Sequence, residues 1–185
     1  ILTVDGAGRP AEVARIPFAA GGLDITGDIL VVAGKRGYDY GLFTYSLADP
    51  GNPEPVGELL LTYTERPHDV TVRNGLAYLL ASGRLYVVDV GDPAAPLLVG
   101  QGAEVRGLRV QASDGWVYTV DFWGYMGCVN VSDPVMPVVS ASPDFAGNTM
   151  DPAVNGYDDH TQLPAFLTTE LTRCFQDYKV LENTQ

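Results

Sequence analysis

PHDVTVRNGLAYLLASGRLYVVDVGDPAAPLLVGQGA, residues 67–103, reads as four short strands separated by three tight turns. Residues 67–72 alternate apolar and polar side chains, as a half-buried strand does. Asn74-Gly75 follows, and this pair takes the positive φ angles of a tight hairpin at little cost. Residues 76–80, Leu-Ala-Tyr-Leu-Leu, form a second strand-favouring run. Ser82-Gly83-Arg84 turns the chain again, and Leu85 to Val90 gives a third strand. Gly91-Asp92-Pro93 makes the last turn, since proline fixes φ and lacks the donor a central strand needs. Residues 97–100 complete the set.

The same pattern recurs on both sides. Gly27-Asp28 and Asp114-Gly115 stand where Asn74-Gly75 stands, and Asp49, Asp92 and Asp133 each precede a proline at the third turn. Pro10, Pro53, Pro96 and Pro137 are spaced 43, 43 and 41 residues apart. A fixed period in the low forties marks one supersecondary unit, repeated because a single copy cannot bury its apolar face. Four antiparallel strands per unit is the pattern of a β-propeller blade. A β-sandwich, the main rival, has no reason to repeat its turn chemistry at one period. The expected fold is therefore all-β. It is a propeller of about three and a half four-stranded blades with an irregular C-terminal tail. Residues 1–18 form a half blade, and 19–62, 63–103 and 104–141 form whole ones. Residues 142–185 form a tail that either closes the ring against the N-terminal strands or leaves closure to another chain.

Leu85-Tyr86-Val87-Val88-Asp89 and Ile1-Leu2-Thr3-Val4-Asp5, each followed by a proline-containing turn, resemble the LVIVD repeat. The resemblance covers roughly residues 1–141. It implies a β-propeller from a bacterial or archaeal exported or surface protein, and it carries over no catalytic residue. Two copies depart from the motif, with Ser46 and Asn130 in place of the aspartate. All four residues at that position are short and polar, suited to bonding their own backbone at a strand end.

Composition narrows the partners. Twenty-three acidic and eleven basic side chains give a net charge of −12, which disfavours nucleic acid and anionic membranes. No apolar run is long enough to span a membrane as a helix. The chain starts inside a strand without a methionine, as a piece excised from something longer would. An extracellular, cell-surface or periplasmic setting allows a disulfide between Cys128 and Cys174, with two unrelated thiols as the alternative.

In such a blade order, the turns between second and third strands share one end with the blade-to-blade connections. That end receives Tyr38, Tyr40, Arg66, Trp123 and Tyr125. Flat rings beside a few charges suit a sugar, peptide or small ligand. The expected role is thus non-catalytic binding or scaffolding, with a protein, a glycan or a second copy as partner. The alternative is a propeller hydrolase, lyase or oxidoreductase with its site at the channel mouth. It would draw on His68, Asp69, Asp24 and Arg109, a His-Asp pair being able to act as base or ligand. No cofactor motif is present. Calcium is the one ion the sequence suggests, through the oxygen-rich run Asp151, Asn155, Asp158 and Asp159, whose spacing differs from the calcium-hand loop.

Overall fold

The computed structural model describes residues 1–4, 6, 8–121 and 125–141. Among these residues the chain is all-β, with fourteen strands and no helix. A two-stranded sheet comes first, β1 (Leu2–Val4) and β2 (Pro10–Glu12). Three four-stranded antiparallel sheets follow. The first is β3 (Ala19–Thr26), β4 (Ile29–Arg36), β5 (Asp39–Ser46) and β6 (Glu54–Leu60). The second is β7 (Pro67–Arg73), β8 (Leu76–Ala81), β9 (Arg84–Asp89) and β10 (Leu97–Glu104). The third is β11 (Arg109–Ser113), β12 (Trp116–Val120), β13 (Met126–Asn130) and β14 (Val138–Ala141). Each is a simple meander in chain order. No helix among the described residues is long and apolar enough to cross a membrane.

Local chemistry explains the turns. Asn74 and Gly75 both have positive φ, 52° and 77°, which is the two-residue hairpin that matches strand twist. At the end of the third strand, Asp89 Oδ1 accepts from Gly91 N (2.8 Å) and Asn130 Oδ1 from Ser132 N (2.9 Å). Ser46 Oγ does the same for Ala48 N at 3.3 Å. The Asp-Pro turns repeat the device: Asp49, Asp92 and Asp133 each accept from the amide two residues on, at 2.9, 3.0 and 3.0 Å. A side chain that closes its own turn ends a strand without help from the rest of the fold.

The sheets stack face to face, so their middle strands are covered on both sides. That is why β4, β5, β8 and β9 are apolar nearly throughout instead of alternating. Val31, Ala33 and Leu42 of the first sheet pack with Leu79, Tyr86 and Val88 of the second. Tyr78, Leu80, Leu85 and Val87 of the second pack with Val110, Val117 and Val129 of the third. The other face of the first sheet holds Leu30, Val32, Phe43 and Tyr45, covered in part by Ile16 and Phe18.

Two polar devices lock neighbouring sheets together. The carboxylate of Asp24 on β3 accepts from Val72 N (2.7 Å) and Thr71 Oγ1 (3.2 Å) on β7. Asp69 on β7 likewise accepts from Val110 N (3.0 Å) on β11. Gly21 and Gly22 let β3 and β7 approach this closely. A Cβ on Gly21 would lie 2.6 Å from Pro67 O, and one on Gly22 would overlap the Asp69 carboxylate. Residues 21, 22 and 24 therefore face 67, 69 and 72 in ascending order, so the two strands run parallel. Further out, the Thr44 hydroxyl donates to Pro93 O (2.6 Å) in the Asp-Pro turn of the second sheet.

Lys35-Arg36 and Asp39-Tyr40 belong to the strands of the β4–β5 hairpin. Gly37, at φ 64°, reverses the chain over Gly37-Tyr38 alone, and pairing continues through Lys35↔Tyr40 and Arg36↔Asp39. The β4–β5 hairpin is simply two residues longer per strand than β8–β9, projecting about 7 Å further at some 3.3 Å per residue.

Candidate functional site

Because β3 and β7 run parallel and strands alternate within each sheet, the turns sort onto two ends. The 27–28, 74–75 and 114–115 turns share one end with the Asp-Pro turns. The β4–β5, β8–β9 and β12–β13 turns share the other with the connections β6 to β7 and β10 to β11.

At that second end, a rim of turns and connections runs along the three sheets, pinned by local hydrogen bonds. Leu61 N donates to Tyr40 O (2.8 Å), carrying the first hairpin into the connection that follows β6. The connection is then pinned to the short second hairpin: Ser82 N donates to Arg66 O (3.1 Å), and Arg66 N to Ser82 Oγ (2.9 Å). On the far side of the same turn, Val105 N donates to Gly83 O (2.9 Å). The Thr119 hydroxyl then donates to Arg106 O (2.6 Å), reaching the third sheet. Ser82 holds φ 46°, a strained value for a side chain other than glycine, and its three polar bonds maintain it.

Side chains on this rim pair rings with cations. Lys35 Nζ lies 5.8 Å from the centre of the Tyr38 ring and 5.4 Å from that of Tyr40. The Arg106 guanidinium lies 4.7 Å from the Tyr125 ring. Tyr38 is 93% exposed and Tyr63 is 83% exposed, as few tyrosines are. Arg66 and Arg106 are exposed, while Tyr40 and Tyr125 are half-buried. Tyr38, Tyr40, Arg66 and Tyr125 thus all lie on one end, the rings in two clusters, Lys35 with Tyr38 and Tyr40, and Arg106 with Tyr125. Trp123 lies outside the described residues.

Beneath the rim, Glu65 accepts from Thr62 N (3.2 Å), Thr62 Oγ1 (3.0 Å) and the Tyr86 hydroxyl. The Tyr86 bond is the main cause holding the Glu65 carboxyl below its ordinary value. Burial, then the bond to Glu65, pushes the Tyr86 phenol up to about 12. The signs give two pH limits. Glu65 stabilises the fold above its ordinary 4.5, and this is lost as pH falls through the lowered value. Tyr86 stabilises it below 10, and this is lost as pH rises from 10 to about 12. Tyr86→Phe is expected to cost about 1–3 kcal/mol at neutral pH. Chemical denaturation of both proteins between pH 10 and 12 checks it: the wild type loses stability across that window. The variant keeps only the share from Tyr78, whose phenol burial also raises.

Asp24, His68, Asp69 and Arg109 fall into a different pattern. Asp24 and Asp69 are the carboxylates that tie β3 to β7 and β7 to β11. Each also takes the amide that follows it, Ile25 N at 2.8 Å for Asp24 and Val70 N for Asp69. Desolvation raises the Asp69 carboxyl above its usual value, against the pull of those amides and of Arg109. His68 is half-buried beside it, and Arg109 is exposed with its guanidinium 3.4 Å from Leu108 O. No group of three or more metal-ligating side chains occurs among the described residues. Cys128 is buried on β13; Cys174 and the run Asp151, Asn155, Asp158 and Asp159 lie outside the described residues.

Sequence reasoning missed Thr44 and the strand-tying role of the two aspartates, whose partners lie 41 to 49 residues away. Turn order alone placed Tyr38, Tyr40, Arg66 and Tyr125 on one end. A search of curated proteins finds no match. The family model of the LVIVD repeat matches twice, over the two consecutive sheets that the Asp69-to-Val110 bond joins. The chain carries the LVIVD repeat, at residues 67–102 and 108–144.

Proposed function

We propose that the three sheets are blades of a β-propeller and that the chain is a non-catalytic binding or scaffolding module, engaging its ligand along the Tyr38-to-Tyr125 rim. The observation that carries this reading is the pair of almost fully exposed tyrosines, Tyr38 and Tyr63, on an end whose turns and connections are fixed by backbone hydrogen bonds. Rings held in water on a rigid frame supply contact area at low entropic cost when a ligand arrives. Binding residues belong on such turns, while the strands below supply the scaffold. The exported or surface setting rests on what LVIVD-type repeats imply. Closing the ring requires two further strands to complete the β1–β2 half blade.

The test is a panel of glycans and peptides, probed with the wild type and a Tyr38→Ala/Tyr63→Ala double variant. Binding by the wild type is expected to drop at least tenfold in the double variant at an unchanged melting temperature. Val135→Ala, at the opposite end, is expected to leave binding as it was. A ligand insensitive to the tyrosines and sensitive to Val135 sinks the proposal.

A further inference from the structure

Charge divides between the two ends of the three sheets. The turns opposite the rim carry Asp28, Asp49, Asp89, Asp92, Asp114 and Asp133, and their one cation, Arg73, is paired with Asp114 at 2.9 Å. The rim holds an excess of cations once paired groups are set aside, with Asp39 in the first hairpin and Asp121 after β12 as the carboxylates standing against it. Arg36 is matched by Glu58, and Arg84 by Glu104 at 3.3 Å. Glu65 is held by Tyr86 and Thr62. Lys35, Arg66 and Arg106 remain with no carboxylate partner among the described residues. Two of these three stand over tyrosine rings.

Resting on the binding role proposed for the rim, we infer that its ligand is an acidic polysaccharide, with uronate carboxylates meeting Lys35, Arg66 and Arg106 while sugar faces lie on Tyr38 and Tyr63. The protein's own net charge of −12 works against an anionic ligand at long range, so the contact depends on the local cations. Six-residue strands hold the acidic turns about 20 Å from the rim, beyond two screening lengths at physiological salt. The rim also spans about 20 Å, since stacked sheets lie some 10 Å apart. That length fits an extended polymer better than a single sugar. Flat rings beside cations match a chain whose every unit has an apolar face and a carboxylate. An acidic peptide would satisfy the cations and leave the exposed rings without flat partners. A nucleic acid places a charge every few ångströms along each strand, more than three separated cations answer.

The probes are polygalacturonate, an uncharged glucan, poly-glutamate and single-stranded oligothymidylate, with the full chain immobilised. Polygalacturonate is expected to bind alone, and more weakly as salt rises. Arg66→Gln and Lys35→Gln are each expected to weaken it about tenfold, as loss of a charged hydrogen bond does. Tyr38→Ala should weaken it several-fold, with melting temperatures unchanged in all three. Equal binding of the uncharged glucan, sensitive to Tyr38→Ala but not to Arg66→Gln, overturns the anionic ligand and leaves the rim as a binding surface. Equal or tighter binding of poly-glutamate or oligothymidylate overturns the polysaccharide. Failure of all four probes to bind overturns the inference. Arg66→Glu, which should abolish polygalacturonate binding, guards against a glutamine that still donates.

Discussion

Gly100→Ala is expected to lower the melting temperature by roughly 3–10 °C, from an overpacking cost of about 1–3 kcal/mol. Gly100 lies on β10, where the Asp-Pro turn of the third sheet presses against it. A Cβ there would overlap Pro134 O and lie 3.3 Å from the carbonyl carbon of Val135. These are backbone atoms of a turn closed by Asp133, so no side chain can swing away to make room. Gly57 on β6 meets the second sheet's turn in the same manner, with Ala94 O 2.8 Å from its added Cβ. The two interfaces share no residue, so the double variant should lose close to the sum of the single losses. Gly51→Ala is the control. Its Cβ would meet only the Asp49 side chain, at 3.2 Å, and the change should stay within about 0.5 kcal/mol. Thermal melts of the four variants decide it. A Gly100→Ala protein as stable as the wild type would mean the sheets do not stack this closely.

Asp69→Ala and Asp24→Ala are each expected to cost about 1–3 kcal/mol or more, because each leaves amides of two strands unsatisfied. Asp24→Ala strips acceptors from Ile25 N, Val72 N and the Thr71 hydroxyl. Asp69→Asn behaves differently. Its amide oxygen still accepts from Val110 N, and the charge that burial disfavours is gone. It should therefore fall within about 1 kcal/mol of the wild type. The pH dependence separates the two substitutions from a simple loss of packing. A carboxyl raised in the fold contributes stability that is complete below its ordinary 3.8 and fades as pH rises through the raised value. Both variants lose that contribution, while only Asp69→Ala loses the tie. Urea unfolding in the acid range and at neutrality reads both effects. An Asp69→Asn protein as unstable as Asp69→Ala would show that the carboxylate charge, not its acceptor geometry, joins the strands.

Much of the fold was legible because each turn is closed locally. Asp89, Asn130 and Ser46 bond amides two residues away, and Asn74-Gly75 needs only its own dihedral freedom. Such features leave a mark in any window of five residues, and the 43-residue period multiplies them. The contacts between sheets leave no such mark. Thr44 looks like an ordinary strand residue until Pro93, 49 positions on, presents its carbonyl. Asp69 beside His68 suggested acid–base chemistry, yet the neighbour that gives it work is the amide of Val110, 41 positions away. The glycines of β6 and β10 read as weak points in a strand, and only the stacking of the next turn explains them. At the rim, turn order was enough to place Tyr38, Tyr40, Arg66 and Tyr125 on one end. It did not show that the first hairpin is strand to its tip, since Gly37 reverses the chain without breaking the pairing.

On the proposed reading one end of the molecule closes turns and the other meets a ligand, on sheets tied by the Asp24 and Asp69 carboxylates and by tight glycines. Amide chemical-shift mapping during titration with a short oligogalacturonate tests that division most directly. The account predicts perturbations confined to residues 35–41, 61–66, 82–84, 104–107 and 125. Shifts centred on the Asp49, Asp92 and Asp133 turns would contradict it.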